Sequence, residues 1–208
     1  MLFRSFDDIL TLAEQLGRER GRPIGVYPET KHPSYFRGIG LPLEDRLLTT
    51  LSAHGWNHRD APVFIQSFET DNLRELRRKT SVRLVQLIDG SDGPWDRWDD
   101  TTLHAVADLV SDSGLREIAS YADGIGPDRR LVIPAASDGR LLAPTDLVQR
   151  AHAAGLLVHV WTFRSEPMFL SPSYNGHPEA EYLQFRALGV DGLFTDFADV
   201  ARSALRSP

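Results

Sequence analysis

A parallel α/β fold is what this sequence predicts, and three observations lead to it. Six short runs are apolar throughout, the segments between them repeat apolar residues at helical spacing, and polar residues gather just after the runs. Strands buried on both faces and covered by amphipathic helices produce this pattern.

The elements follow in order. Ser5-x-x-Asp8 reads as a capping box, and Phe6, Ile9, Leu10, Ala13 and Leu16 recur at helical spacing behind it, with 17–21 ending the helix. A buried strand is expected at 23–27, between turn residues. Pro42 suits the first turn of a helix carrying Leu43, Leu47, Leu48 and Leu51. Further strands are expected at 63–66, 84–88, 122–125, 156–161 and 190–194. Leu73 and Leu76 mark one intervening helix, and Leu115, Ile118 and Ala119 another. Thr145 can cap a helix with Leu147, Val148 and Ala151, closed by Gly155; the next carries Tyr182, Phe185 and Leu188 and is closed by Gly189. A last helix covers 198–205. The stretch 89–100, rich in Asp, Gly and Trp, lacks EF-hand spacing and reads as a solvated loop.

Six strands after a lone helix fit two architectures. One is an open six-stranded sheet, which needs no missing piece. The other is a (β/α)8 barrel without its first strand, first helix and second strand.

The composition narrows the function. At 208 residues the chain suits a single domain, with no linker or repeat to divide it. A net charge of -6 argues against nucleic-acid binding, which needs a clustered basic face. Without Cys, a metal must be held by oxygen or imidazole. No apolar run approaches a membrane span, and Met1 to Ser5 lacks the apolar region of a signal peptide.

Parallel α/β folds build their sites at the carboxyl ends of the strands, which makes the polar residues just after each run the site candidates. Glu29 and Lys31 follow the first run two apart, on one side of an extended chain, with Pro28 and Pro33 fixing the backbone around them. A carboxylate beside an ammonium suits a metal ligand next to a phosphate-binding cation, or equally a surface ion pair. Gln66 and Phe68 share a face after the second run, and Gln66 could orient a ligand; Glu69 could simply begin a helix. The Gly-rich run 121–127 allows close backbone approach or a plain turn, and Trp161 can wall a small ligand or fill the core. Asp196 reads as a helix cap and His159 as a core residue. None of the seven His stands in a triad or metal spacing, and no general acid or base emerges.

Five segments together resemble the glycerophosphodiester phosphodiesterase family: Tyr27-Pro28-Glu29-Thr30-Lys31-His32-Pro33, then 64–68, 121–127, 158–164 and 189–196. The resemblance implies a (β/α)8 TIM barrel of the phosphatidylinositol-phosphodiesterase-like type with about six of its eight strands present. The domain would span residues 1–208 and be incomplete at its N-terminal side. It further implies metal-dependent hydrolysis of glycerophosphodiesters to glycerol 3-phosphate and an alcohol, with a divalent cation, Ca2+ or Mg2+. Glu29 would be a metal ligand, Lys31 would face the phosphate, and Gln66, Phe36 and Trp161 would line the substrate. The family's catalytic His-Arg segment, its Glu-x-Asp metal ligands and its second histidine belong to strands that precede Met1. No catalytic residue is therefore expected in this chain, and activity of the 208 residues alone is not expected. A non-catalytic remnant or ligand-binding protein on the same fold is the alternative. Open sheet edges at the strands of Val26 and Leu193 lead to an expectation of self-association.

Overall fold

The computed structural model describes residues 5–90 and 106–206, so 91–100 of the expected solvated loop lie outside the described residues. The chain divides into two compact units that meet in sequence at 87/88.

The first unit opens with α1 (Phe6–Arg20), capped as expected: Ser5 Oγ accepts from Asp8 N–H, and the Asp8 carboxylate accepts from Ser5 N–H. Gly17 does not end this helix. The helix runs through it to Arg20 and stops at Gly21, whose φ of 63° lets Arg22 N–H return to Gly17 O. Where a strand was expected at 23–27, the chain is extended but makes only two isolated parallel bridges, Val26 to Val63 and Glu29 to Gln66. The cause is chemical. Val26 N–H bonds Pro62 O, Phe64 N–H bonds Val26 O, Gln66 N–H bonds Pro28 O and Thr30 N–H bonds Gln66 O, but Pro28 has no N–H for the rung between. The ladder is interrupted in its middle by one imino acid.

His32, with φ 49°, ends the extended run, and α2 (Pro33–Gly38) begins with proline at its first position. Then come α3 (Glu44–Ala53), β1 (Phe64–Ser67), α4 (Thr70–Lys79) and β2 (Arg83–Ile88). Pro42 lies outside α3, whose N-cap is Leu43. β1 and β2 run parallel, Ile65 opposite Leu84 and Gln66 opposite Val85. The core of this unit holds Leu10, Leu51, Val63, Ile65, Leu73, Leu76 and Leu84, all fully buried.

The second unit holds α5 (Val106–Leu109), α6 (Asp112–Ala119), β3 (Gly124–Pro127), α7 (Arg129–Val132), α8 (Leu147–Ala153), β4 (Leu157–Phe163), a 3-10 turn at Pro172–Tyr174, α9 (Pro178–Ala187), β5 (Gly192–Thr195) and α10 (Ala198–Arg206). β3 pairs in parallel with β4, and β4 with β5. Just past the carboxyl end of β3, Asp128 N–H bonds the carbonyl of Ile88, which belongs to this unit. Phe163 sits at the centre of this core, packed edge-on to Phe185 at 4.8 Å and stacked on Tyr182 at 5.4 Å. Ala119, placed on a buried stripe by the sequence pattern, is exposed, while Leu115 and Ile118 are buried.

β4 and β5 begin one to two residues later than the apolar runs do. Leu156 N–H bonds Ala151 O, and Val190 N–H bonds Phe185 O, each across a glycine at positive φ, Gly155 at 81° and Gly189 at 89°. These bonds make the Schellman closure of α8 and α9, so the first apolar residue of each run belongs to the helix before it. His159 is a core residue, as expected: it is buried and packs against Gly192. Among the described residues, no helix is long and apolar enough to cross a membrane.

Candidate active site

In the first unit, the bridge between Glu29 and Gln66 brings two of the expected site residues side by side. Glu29 and Lys31 are exposed, and Thr30 between them is buried, so the two charged side chains share the solvent side of the extended run. Phe36 follows on α2 and is half-buried, its ring edge-on to Tyr35 at 5.4 Å.

The segment 29–34 is fixed from below. Thr30 N–H donates to Gln66 O at 3.0 Å, and Thr30 O accepts from Ser67 Oγ at 3.1 Å. His32 offers no side-chain cap to α2. The cap comes instead from Glu69, whose carboxylate accepts from both the N–H and the hydroxyl of Ser34, each at 2.9 Å. Glu69 does stand at the start of α4, as its place in the sequence suggested, but its side chain serves the other helix.

Two glutamines on neighbouring strands behave differently. Gln86 is fully buried, and its amide donates to the carbonyls of Phe68 and Leu87, both at 3.0 Å. Gln66 is buried too, yet its Oε1 has no hydrogen-bond partner among the described residues. A buried amide oxygen without a donor costs about 1–3 kcal/mol, so such an atom calls for an explanation such as a ligand or water.

A divalent cation such as Ca2+ takes six to eight oxygen ligands. Among the described residues, no three His, Asp or Glu side chains cluster closely enough to hold one. Glu29 supplies one exposed carboxylate, so the described residues do not compose a cation site by themselves.

Trp161 belongs to the second unit. It is half-buried on β4 and donates its indole N–H to Gly126 O at 2.6 Å, while its backbone bridges Asp128. Gly124, in the run 121–127, is explained by packing: a Cβ there would lie 2.8 Å from Leu157 O. Just beyond β4, Arg164 forks to Glu166 at 2.6 Å and to Asp196 at 3.0 Å. Asp196 is thus an ion-pair partner, and the Thr195 hydroxyl instead accepts from Phe197 N–H at 2.9 Å. A cleft of about 350 Å³ also opens in this unit, with Arg129, Met168, Phe169 and Glu181 in its lining.

The sequence pattern singled out Glu29, Lys31 and Gln66, and the fold sets Glu29 beside Gln66. It gave no sign of the Thr30–Asn72 and Ser34–Glu69 contacts, because these partners lie 42 and 35 residues apart and leave no local pattern.

The chain is similar to known proteins of one family. A glycerophosphodiester phosphodiesterase of Arabidopsis thaliana is 34% identical over 206 residues, covering 93% of this chain and 53% of that protein. One from Treponema pallidum is 26% identical over 222 residues, covering 98% of this chain and 60% of that protein. The chain thus spans little more than half the length of these relatives. Among solved structures, a glycerophosphodiester phosphodiesterase from Parabacteroides distasonis superposes with a TM-score of 0.60 at 15% identity, covering 96% of this chain and 62% of that one. A protein assigned as a glycerophosphoryl diester phosphodiesterase from Silicibacter pomeroyi gives 0.65 at 20% identity, covering 96% and 55%. These likenesses establish a TIM-barrel-like α/β fold and remove the open sheet as an alternative. With the family profile matching residues 2–200, nearly the whole sequence, the chain belongs to the glycerophosphoryl diester phosphodiesterase family.

Proposed function

We propose that this protein acts on glycerophosphodiesters, in their hydrolysis to glycerol 3-phosphate and an alcohol. The observation that carries the proposal is the pairing of exposed Glu29 and Lys31 on one side of an extended run, beside buried Gln66 with its unpartnered Oε1. The Lys31 ammonium, a compact charge on a flexible stem, faces the phosphate and offsets its negative charge. Gln66 Oε1 accepts a glycerol hydroxyl, which relieves its missing bond. Phe36 shapes the apolar side of the glycerol.

Glu29 is proposed as one ligand of a divalent cation, Ca2+ or Mg2+. Calorimetric titration of each metal into wild-type and Glu29→Ala protein tests that role: equal binding by both removes Glu29 from it. No residue of the sequence is assigned as general acid or base, and such groups normally contribute ~10²–10⁴-fold.

A second reading, a binding protein on the same fold, is favoured by the absence of a three-ligand metal cluster among the described residues. Both readings call for glycerol 3-phosphate binding that Lys31→Met weakens, measured by calorimetry. They part on turnover: release of choline from glycerophosphocholine with Ca2+ or Mg2+, lost in Glu29→Ala, supports the enzyme, and no release supports the binder. If wild type binds no glycerol 3-phosphate and Lys31→Met changes nothing, both fall. Self-association through sheet edges belongs to the same proposal, and a single monomer peak in size-exclusion chromatography would remove it.

A further inference from the structure

We infer that Asn72, oriented by Glu44, is a positioning residue that aims Lys31 and Glu29 by holding Thr30 between them. This rests on the functional reading above for what the two charged side chains meet, but the hold itself is visible in the first unit alone.

Thr30 is 3% exposed, and each of its polar atoms has a partner. Its N–H and C=O are bonded to Gln66 and Ser67, as described. Its hydroxyl lies 2.6 Å from Asn72 Oδ1, against 3.4 Å from Gln66 O, so its one proton goes to the amide. The polarity of the chain behind it is forced. Glu44 Oε1 takes Arg37 Nη2 at 2.5 Å and Asn72 Nδ2 at 2.6 Å, and guanidinium and amide nitrogens can only donate. With its nitrogen committed to Glu44, Asn72 can offer only its oxygen to Thr30. The order Arg37 to Glu44, Asn72 to Glu44 and Thr30 to Asn72 admits no reversal.

Glu44 is 1% exposed and Asn72 is 2% exposed, so water does not compete for these bonds. Arg37 also pairs with Glu75, and Lys79 bridges Glu75 and Asp45 at 2.8 Å each, tying α2, α3 and α4 around the pair. Thr30 is β-branched, and a fixed hydroxyl leaves it one χ1 well. Because neighbours in an extended chain face opposite ways, pinning Thr30 inward pins residues 29 and 31 outward together. Lys31 has four rotatable bonds of its own, so its aim is set by where its backbone is held. A general packing role for Asn72 would not need this polarity, nor the placement of its partner between the two charged residues.

The test compares wild type with Thr30→Val, Thr30→Ser and Asn72→Leu by backbone amide hydrogen exchange without ligand and by calorimetric titration of glycerol 3-phosphate. Thr30→Val and Asn72→Leu are expected to speed exchange at residues 29–32 about ten-fold while α1 keeps its protection, and to weaken glycerol 3-phosphate binding by about ten-fold per folded molecule. Thr30→Ser, which keeps the hydroxyl, is expected to restore both. If both variants only lower the melting temperature, with exchange at 29–32 and affinity per folded molecule as in wild type, the residues are structural and the inference is overturned. If wild type itself fails to bind glycerol 3-phosphate, the functional reading falls, and the exchange pattern alone decides whether Asn72 holds Thr30.

Discussion

His54 Nδ1 lies 2.9 Å from Glu14 Oε1, so the residue that ends α3 closes onto the middle of α1. Its other ring nitrogen lies 2.9 Å from Asp7, and an imidazole flanked by two carboxylates is best matched as imidazolium. Bonds to Asp7 and then Glu14 raise its pKa above the ordinary 6.5. The charge also sits at a helix C-terminus, where a cation is favoured.

Stability from a raised histidine is fully present below its unfolded pKa and lost as pH climbs through the folded one. His54→Leu is therefore expected to lower the melting temperature by about 2–4 °C at pH 5.5, and by less at pH 8.5. Thermal melts across that range check it. A deficit that stays constant or grows with pH would show that the ring contributes packing and not charge. Asp7 is exposed, so its share should fade with added salt.

Gln66→Leu is expected to move stability and binding in opposite directions. Replacing an amide whose buried oxygen lacks a donor with an apolar group of similar size should stabilise the free protein by about 1 kcal/mol. Glycerol 3-phosphate affinity should fall at the same time. Urea unfolding and calorimetry read the two effects. A destabilised variant would mean that the oxygen was satisfied in solution.

In the second unit, Glu181 is 3% exposed and its carboxylate lies 2.7 Å from Arg129. Burial pushes the Glu181 carboxyl above the ordinary range, and Arg129 opposes that push. Arg129→Met leaves a buried charge without its partner, an expected loss of about 3–5 kcal/mol near neutral pH. Without arginine the carboxyl pKa climbs further, so protonation relieves the variant before the wild type as pH falls, and its deficit should shrink toward acid pH. Adding Glu181→Leu should recover most of the loss. Urea midpoints of the single and double variants at two pH values decide, and a double variant as weak as the single would sink the account.

Gly192→Ala tests the closeness of β4 and β5. A Cβ there would meet His159 Cδ2 at 2.8 Å and its Cγ and Nε2 at 3.2 Å. The imidazole is buried and has little room to yield, so the substitution should cost about 1–3 kcal/mol in denaturant unfolding. A neutral result would mean that the ring can swing away.

Much of this fold could be read from local chemistry. The Ser5 and Asp8 box, the glycines at 155 and 189, and the alternation of Glu29 and Lys31 about Thr30 are each settled within a few residues. Pro28 could have been read as a gap in the ladder, since its missing N–H is a property of the residue alone. Asn72 and Glu44 could not. On α4 and α3 they look like solvent-facing polar residues, and only the fold brings Asn72 to a threonine 42 residues away. The same holds for Glu69, whose helix cap belongs to α2.

The Schellman closures at Gly155 and Gly189 have a bearing on how this chain can change in length. Three residues separate α8 from β4, and one of them, Leu156, serves the end of the helix and the approach to the strand at once. An inserted residue has no slack to occupy there. It would either unwind the last helical turn or slide β4 by one position, which turns every side chain of the strand to the opposite face. Beyond the other end of β4, fourteen residues run to α9 with a single 3-10 turn among them. Insertions and deletions tolerated over evolution should collect on that side, leaving the helix-to-strand turns as the ruler against which the barrel keeps its register.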